Sequence, residues 1–180
     1  FQVGSVLPSH RNQYNARFTG AAGKLGFLTG GFGQRHIRGM VNGNVLVPLR
    51  NERTPTATDP TARNMVSRFL RAYPDELPNR PDFDPRMLNT NSPQSIDETD
   101  GNLRLDRDTG QRGRLSLFYT LSRQRVDAFQ LVAGQNPDTK IHSHQARASY
   151  RYSFSPSFDA AFGFNFQRTR SDLLSEPNAV

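Results

Sequence analysis

Polar and apolar residues alternate strictly over the last part of the chain. From His144 to Phe154 the even positions read His144, Ala146, Ala148, Tyr150, Tyr152 and Phe154, and the odd ones Gln145, Arg147, Ser149, Arg151 and Ser153. After Ser155-Pro156-Ser157 the pattern resumes, with Phe158, Ala160, Phe162, Phe164 and Phe166 against Asp159, Ala161, Gly163, Asn165 and Gln167. Successive side chains of a strand point to opposite faces. Each segment therefore predicts a strand with one aromatic face and one face of Arg, Asn, Gln and Ser. The tight Ser-Pro-Ser link makes the pair an antiparallel hairpin.

Less regular copies of the pattern occur upstream. Tyr14, Ala16 and Phe18 alternate with Gln13, Asn15 and Arg17, and after Gly20–Gly23 come Leu25, Phe27 and Thr29 opposite a Gly-rich face. Leu103 and Leu105 alternate with Asn102, Arg104 and Asp106; Leu115, Leu117, Tyr119 and Leu121 alternate with Ser116, Phe118, Thr120 and Ser122. The prediction is all-β: six antiparallel strands in three hairpins, about 11–19 with 24–38, 99–107 with 113–126, and 142–154 with 157–170.

The connections alternate as well. Links within hairpins are short, whereas those between hairpins, about 39–98 and 127–141, are long. The first long link holds Asn42-Gly43, a type I′ turn signal, and one helix. There Asp59 caps, Pro60 takes the first helical position, and Met65, Val66, Phe69, Leu70 and Tyr73 form an apolar stripe expected to pack on its own loop. A Pro- and Asn-rich stretch from Pro74 to Pro93 follows.

Alternation alone fits two architectures. In a soluble sandwich the apolar faces of two sheets meet and the polar faces see water. In a membrane barrel the apolar face meets lipid, the polar face lines a wet lumen, and closure pairs every backbone group. Three features favour the barrel: strands longer than the usual 5–6 residues, short turns alternating with long loops, and Tyr/Phe gathered near strand ends as in interfacial girdles. Tyr150, Tyr152, Phe154 and Phe158 around one short turn would form the periplasmic girdle. Six strands are too few to close a pore, since single-chain barrels start at about 8. The chain is thus expected either to oligomerise or to be a slice of a larger wall.

A resemblance sharpens this expectation. The run Arg38-Gly39-Met40-Val41-Asn42-Gly43-Asn44-Val45-Leu46-Val47-Pro48 through Arg53-Thr54-Pro55 resembles the barrel region of Oar-like TonB-dependent transporters. So do Phe69–Pro74, Leu77–Arg80, Leu88–Asn91, Val126–Thr139 and Glu176–Val180. The similarity spans nearly the whole chain and lies in loop sequences specific to the group. It implies an outer-membrane barrel of about 22 strands, an N-terminal plug with an energy-coupling box (neither of which this sequence contains), and a location in the bacterial outer membrane. Implied partners are membrane lipid, the rest of the barrel and plug, and the TonB complex acting through the plug.

Composition bears on the alternatives. Only 34% of the residues are hydrophobic, below the roughly 45–50% of a globular domain even after Gly is added. No window reaches the ~18 consecutive apolar residues of a membrane helix. The absence of Cys excludes disulfides, thiolate metal sites and cysteine catalysis. The net charge is +7, from 23 Lys+Arg against 16 Asp+Glu. Lys24 and Lys140 are the only lysines, and the arginines are scattered rather than gathered into a stripe, so no nucleic-acid partner is expected. The chain opens on Phe1 with no export leader, consistent with an internal piece of a longer protein.

Candidate chemistry is sparse. His142 and His144 share a strand face but lack an acidic or third ligand, so a plain strand pair is expected rather than a metal site. Asp106-Arg107-Asp108-Thr109-Gly110 begins like a calcium loop, yet Leu117 stands where the twelfth-position Glu belongs; a β-turn is expected. Gly30-Gly31-Phe32-Gly33 continues a strand and opens no helix, which excludes a phosphate cradle. No catalytic constellation, cofactor or metal is expected. The candidate lumen-facing residues are Asn15, Arg17, Arg104, Asp106, Arg147, Arg151, Asn165 and Gln167, and the candidate lipid-facing residues are Tyr150, Tyr152, Phe154, Phe162, Phe164 and Phe166. The expected function is energy-coupled uptake through an outer-membrane barrel. The alternative is a soluble or surface-displayed β-domain that binds carbohydrate or protein through its loops.

Overall fold

A computed structural model describes residues 8–175; the Glu176–Val180 motif lies outside the described residues. Strands β1 (His10–Ala21), β2 (Phe27–Leu46), β3 (Met87–Asp108), β4 (Gly113–Asp127), β5 (Asp138–Ser155) and β6 (Phe158–Leu174) form one antiparallel sheet. Spatial order equals chain order, with β1 and β6 at the edges. Among the described residues one α-helix, α1 (Pro60–Arg71), lies in the β2–β3 connection. Its start is built as its residues require: the Asp59 carboxylate accepts from the Ala62 N–H at 2.7 Å, and Pro60 occupies the first turn, where its missing N–H costs nothing.

Two expectations about the β2–β3 connection are corrected. Asn42-Gly43 does not turn the chain; both residues continue β2, paired with Asn91 and Thr90. The Asn42 amide instead donates to the side chains of Asn89 and Asn91 at 3.0 and 2.8 Å. Pro93 does not break β3 either. It lies opposite Met40, beyond the last β3–β4 pair, Ser95–Asp127, where β3 has no β4 neighbour to serve. β2 and β3 therefore project past the sheet as a two-stranded ribbon, and the loops shrink to 47–86 and 128–137. The apolar stripe of α1 is corrected as well: Met65, Val66 and Phe69 are exposed rather than packed on the loop.

The sheet has no core of its own. Among the described residues the buried hydrophobic side chains are Val47, Ala72, Leu88 and Leu131, all in or beside the long loops. They form a small cluster against the ribbon, closed by Ala133 N–H donating to the Ala72 carbonyl at 2.7 Å and Gln130 N–H donating to the Ser92 hydroxyl at 2.9 Å. The Arg53 guanidinium ties the carbonyls of Pro48, Pro74 and Glu76. Elsewhere large apolar side chains lie open, Phe162 at 64% and Phe164 at 65% exposure. The chain exposes 12963 Å², against roughly 8,800 Å² for a compact monomer of its mass.

Cross-strand register arranges the residues in rows, and the short turns step across those rows. The Ala21–Phe27 pair closing the first hairpin continues as Asp106, Ser116, Ser149 and Gly163. From that row the second hairpin runs two residues further, to Asp108 and Arg114, and the third six residues further on β5, to Ser155. Six residues of about 3.3 Å over four strand spacings of about 4.8 Å make a slope near 45°. The strands are inclined by that angle to the line joining their turns.

Gly26, at the first turn, has φ 115°, and a Cβ there would collide with the Asp106 carbonyl. At Gly20 a Cβ meets nothing within 4 Å. Gly26→Ala is predicted to cost about 1–3 kcal/mol while Gly20→Ala stays near neutral, read from the urea unfolding midpoints of the two variants; equal midpoints would contradict this register.

Candidate functional site: two faces of one sheet

Alternation gives every strand two chemically opposed sides, and the register lines them up. One row reads Arg17, Gly31, Asn102, Thr120, Gln145, Gln167; the next reads Thr19, Thr29, Arg104, Phe118, Arg147, Asn165. Asn15, Asp106 and Arg151 fall on the same side, so all eight residues predicted to share a polar wall do share one face. The intervening positions form the other face, with rows such as Leu28, Leu105, Leu117, Ala148, Phe164 and Phe18, Gly30, Leu103, Tyr119, Ala146, Phe166. Tyr150, Tyr152, Phe154 and Phe162 lie there too. Among the described residues nothing packs over either side.

The polar face carries mixed charge with a cationic end. Near the turns Asp106 is held by the Arg104 guanidinium, Nε to Oδ2 at 2.6 Å, and by the Ser116 hydroxyl at 2.5 Å. Arg114 and Arg151 stand directly opposite each other, and the nearest carboxylate, Asp108, is 4.0 Å from Arg114. Like charges placed so repel. Among the described residues Arg147 and Arg151 make no ion pair. Arg104, Ser116, Phe118, Arg147 and Ser149 line a recess of about 360 Å³. Gln145 donates to the Asn165 amide oxygen at 3.3 Å. The Gly-rich run of β2 serves close approach: the Asn15 and Asn102 side chains lie over Gly33 and Gly31 on the polar side, and the Phe18 ring covers Gly30 on the apolar side.

Further along the polar face sits a group that strand prediction missed, because β3 was expected to start at Thr99. Glu98 pairs with Arg35 and accepts from the Gln124 amide at 2.7 Å. The signal was present in Asp97-Glu98, whose side chains point to opposite faces and each meet a cation of β2.

The apolar face is bounded. Toward the turns the rings of Tyr150, Tyr152, Phe154 and Phe158 form a chain, with successive centroids 6.4, 4.8 and 5.3 Å apart. Toward the loops the same face turns ionic. Asp97 binds Arg38 at 2.9 Å and His36 at 2.7 Å, Arg125 binds Asp127 at 2.8 Å, and Arg170 binds Asp172 at 2.9 Å. Between these limits the apolar stretch covers Phe158 to Phe166 on β6 and Ala146 to Phe154 on β5, and shortens to Leu28–Phe32 on β2 and Gly101–Leu105 on β3.

The other candidates resolve simply. His142 and His144 do project from one face, but their cross-strand neighbours are Arg170 and Arg168, a cationic setting that opposes a metal ion. Asp108–Gly113 is a turn with Gly110 at φ 82° and Thr109 N–H donating to the Gly113 carbonyl at 2.8 Å.

The 47–86 loop is fastened by Glu52, whose carboxylate receives the Leu49 N–H at 3.0 Å and both terminal nitrogens of Arg86. The Leu49 N–H first, and Arg86 second, hold this carboxyl below the ordinary Glu range. Because its folded value is depressed, the fastening is complete above the unfolded carboxylate value of about 4.3 and is lost as pH falls through the lower folded one. Protection of the Leu49 amide from hydrogen exchange, corrected for intrinsic rate, should fall in that acid window and be low at every pH in Glu52→Ala, which removes the acceptor. Protection indifferent to both would contradict the fastening.

Comparison with known proteins returned no match: no family model, no curated protein and no solved structure is significantly similar to this chain.

Proposed function

We propose that the sheet is part of the wall of an outer-membrane β-barrel, with the apolar face against lipid and the polar face lining a wet lumen. The observation that carries this is the bounded, uncovered apolar face on strands inclined near 45° to the line of their turns. Barrel strands tilt by about 35–45° and cross the hydrocarbon layer in about 9–11 residues; the apolar stretches of β5 and β6 are nine residues long. The aromatic chain at Tyr150–Phe158 and the ionic belt at the other limit occupy the places of the two interfaces. No described helix is long and apolar enough to cross a membrane. β1 and β6 have open edges, which hydrocarbon does not tolerate; further strands complete the wall, and for this chain alone in a bilayer further copies of it supply them.

Within that architecture the loop motifs support an Oar-like TonB-dependent transporter that takes up a solute with energy delivered through a plug. The free arginines of the polar face, Arg147 and Arg151, suit anionic groups, and the packed loops over the ribbon suit capture, since recognition concentrates on loops held by a rigid scaffold. The partners on this reading are membrane lipid, the remaining barrel and plug, and the TonB complex.

Solution behaviour tests it. Purified without detergent, the full chain should aggregate. Refolded into phosphatidylcholine vesicles, it should float with them after an alkaline carbonate wash and keep a strand-type circular dichroism spectrum. A chain that stays folded and monodisperse in plain buffer would contradict the membrane reading and favour a soluble β-domain binding carbohydrate or protein through its loops.

A further inference from the structure

The apolar face ends, on β5 and β6, in a cationic cleft that the wall does not need. His144 and Arg168 share one row, and His142 and Arg170 the next, continued on β4 by Arg123. His142, His144, Arg168, Arg170 and Asp172 line a cleft of about 390 Å³. Three arginines stand against one carboxylate, and that carboxylate takes only the Nε of Arg170, which leaves its terminal nitrogens available. Among the described residues Arg168 and Arg123 make no ion pair. Cations ranked across adjacent strands repel, and elsewhere on this belt the arginines are matched, Arg38 to Asp97 and Arg125 to Asp127. The cleft is the unmatched part.

Directly beneath it the same face forms an apolar trough of about 360 Å³ between the side chains of Leu103, Leu117, Tyr119, Ala146, Ala148 and Phe164. The trough exists because small side chains, Ala146 and Ala148, run between bulky ones. Ala146 is two residues from His144 on β5, about 7 Å along the strand. Tyr119 joins the two regions: its hydroxyl lies 2.7 Å from His144 Nδ1. When that hydroxyl donates, Nε2 carries the proton and becomes a further donor into the cleft.

A cation cluster with its donors unmatched, stacked a few ångströms above a hydrocarbon-lined trough, has the polarity of a phospholipid read from head to tail. We propose that this surface holds a lipid with a phosphomonoester headgroup, its doubly charged phosphate on Arg168, Arg170, His142 and His144 and an acyl chain in the trough. The proposal rests on the membrane reading above. A soluble phosphate would use the cleft alone; a lipid uses both regions, and their shared face and spacing favour the lipid.

The test uses the full chain in phosphatidylcholine vesicles containing a minor fraction of phosphatidic acid or, separately, phosphatidylserine. Flotation after the carbonate wash reads insertion, and lipid retained through gentle detergent extraction reads binding. Phosphatidic acid should be enriched over both other lipids, and the enrichment should fall about fivefold for each arginine removed in R168Q and R168Q/R170Q. R125Q, on the same belt outside the cleft, should leave it unchanged, and equimolar inorganic phosphate should not displace the lipid. Insertion without enrichment, enrichment that survives R168Q/R170Q, or displacement by free phosphate would each overturn this inference while leaving the membrane reading standing. Failure of the wild-type chain to insert would overturn both.

Discussion

Everything in this fold depends on the backbone ladder between neighbouring strands, because no hydrophobic core does its work. A six-stranded sheet in water is ordinarily stabilised by burying one face against something else. Among the described residues both faces are open, and the few buried apolar side chains sit in or beside the loops. What the ladder supplies is register, and register turns a two-residue alternation in sequence into two coherent surfaces. Once the rows are set, Arg104, Phe118, Arg147 and Asn165 must be neighbours on one side, and Leu117, Ala148 and Phe164 on the other. A slip of one residue in any strand would place its arginines among its neighbours' aromatics.

The same register distributes charge. On the apolar side carboxylates and cations gather beyond a loop-ward row, Arg107 near the second turn, opposite Leu115, being the exception. On the polar side ionic and amide groups run the whole length, as a surface wet throughout permits. The two-stranded ribbon then leaves the sheet altogether, and the loops pack on it with their own small core, fastened by Arg53 and by Glu52 with Arg86. Sheet and loops are thus separately stabilised, the first by backbone pairing and the second by ordinary burial.

Much of this was readable from the residues, and the failures have definite causes. The hairpins of β3–β4 and β5–β6 have contrast at every step, Phe or Leu against Arg, Ser or Asn, so the alternation names both the strand and its faces. The helix announces itself through Asp59 and Pro60. The ribbon does not, since Asn42 and Asn44 on one side and Gly43 on the other offer little contrast, and Asn-Gly ordinarily signals a turn. Its true determinant is the ladder of Asn42, Asn89 and Asn91, residues far apart in sequence. The Leu131 contact with Gly43 is hidden for the same reason. So is the stepping of the turns: each hairpin discloses its own length, but the slope exists only between hairpins, in pairings such as Ser116 with Ser149.

The central claim, that the two faces meet different solvents, is tested most directly strand by strand. The chain has no cysteine, so single cysteines placed in turn from Gln145 to Arg151 on β5 can each carry a spin label in the full chain reconstituted in vesicles. Accessibility to oxygen, which concentrates in hydrocarbon, should peak at 146, 148 and 150, and accessibility to a water-soluble nickel chelate at 145, 147, 149 and 151. A flat profile, or water access at every position, would contradict the account.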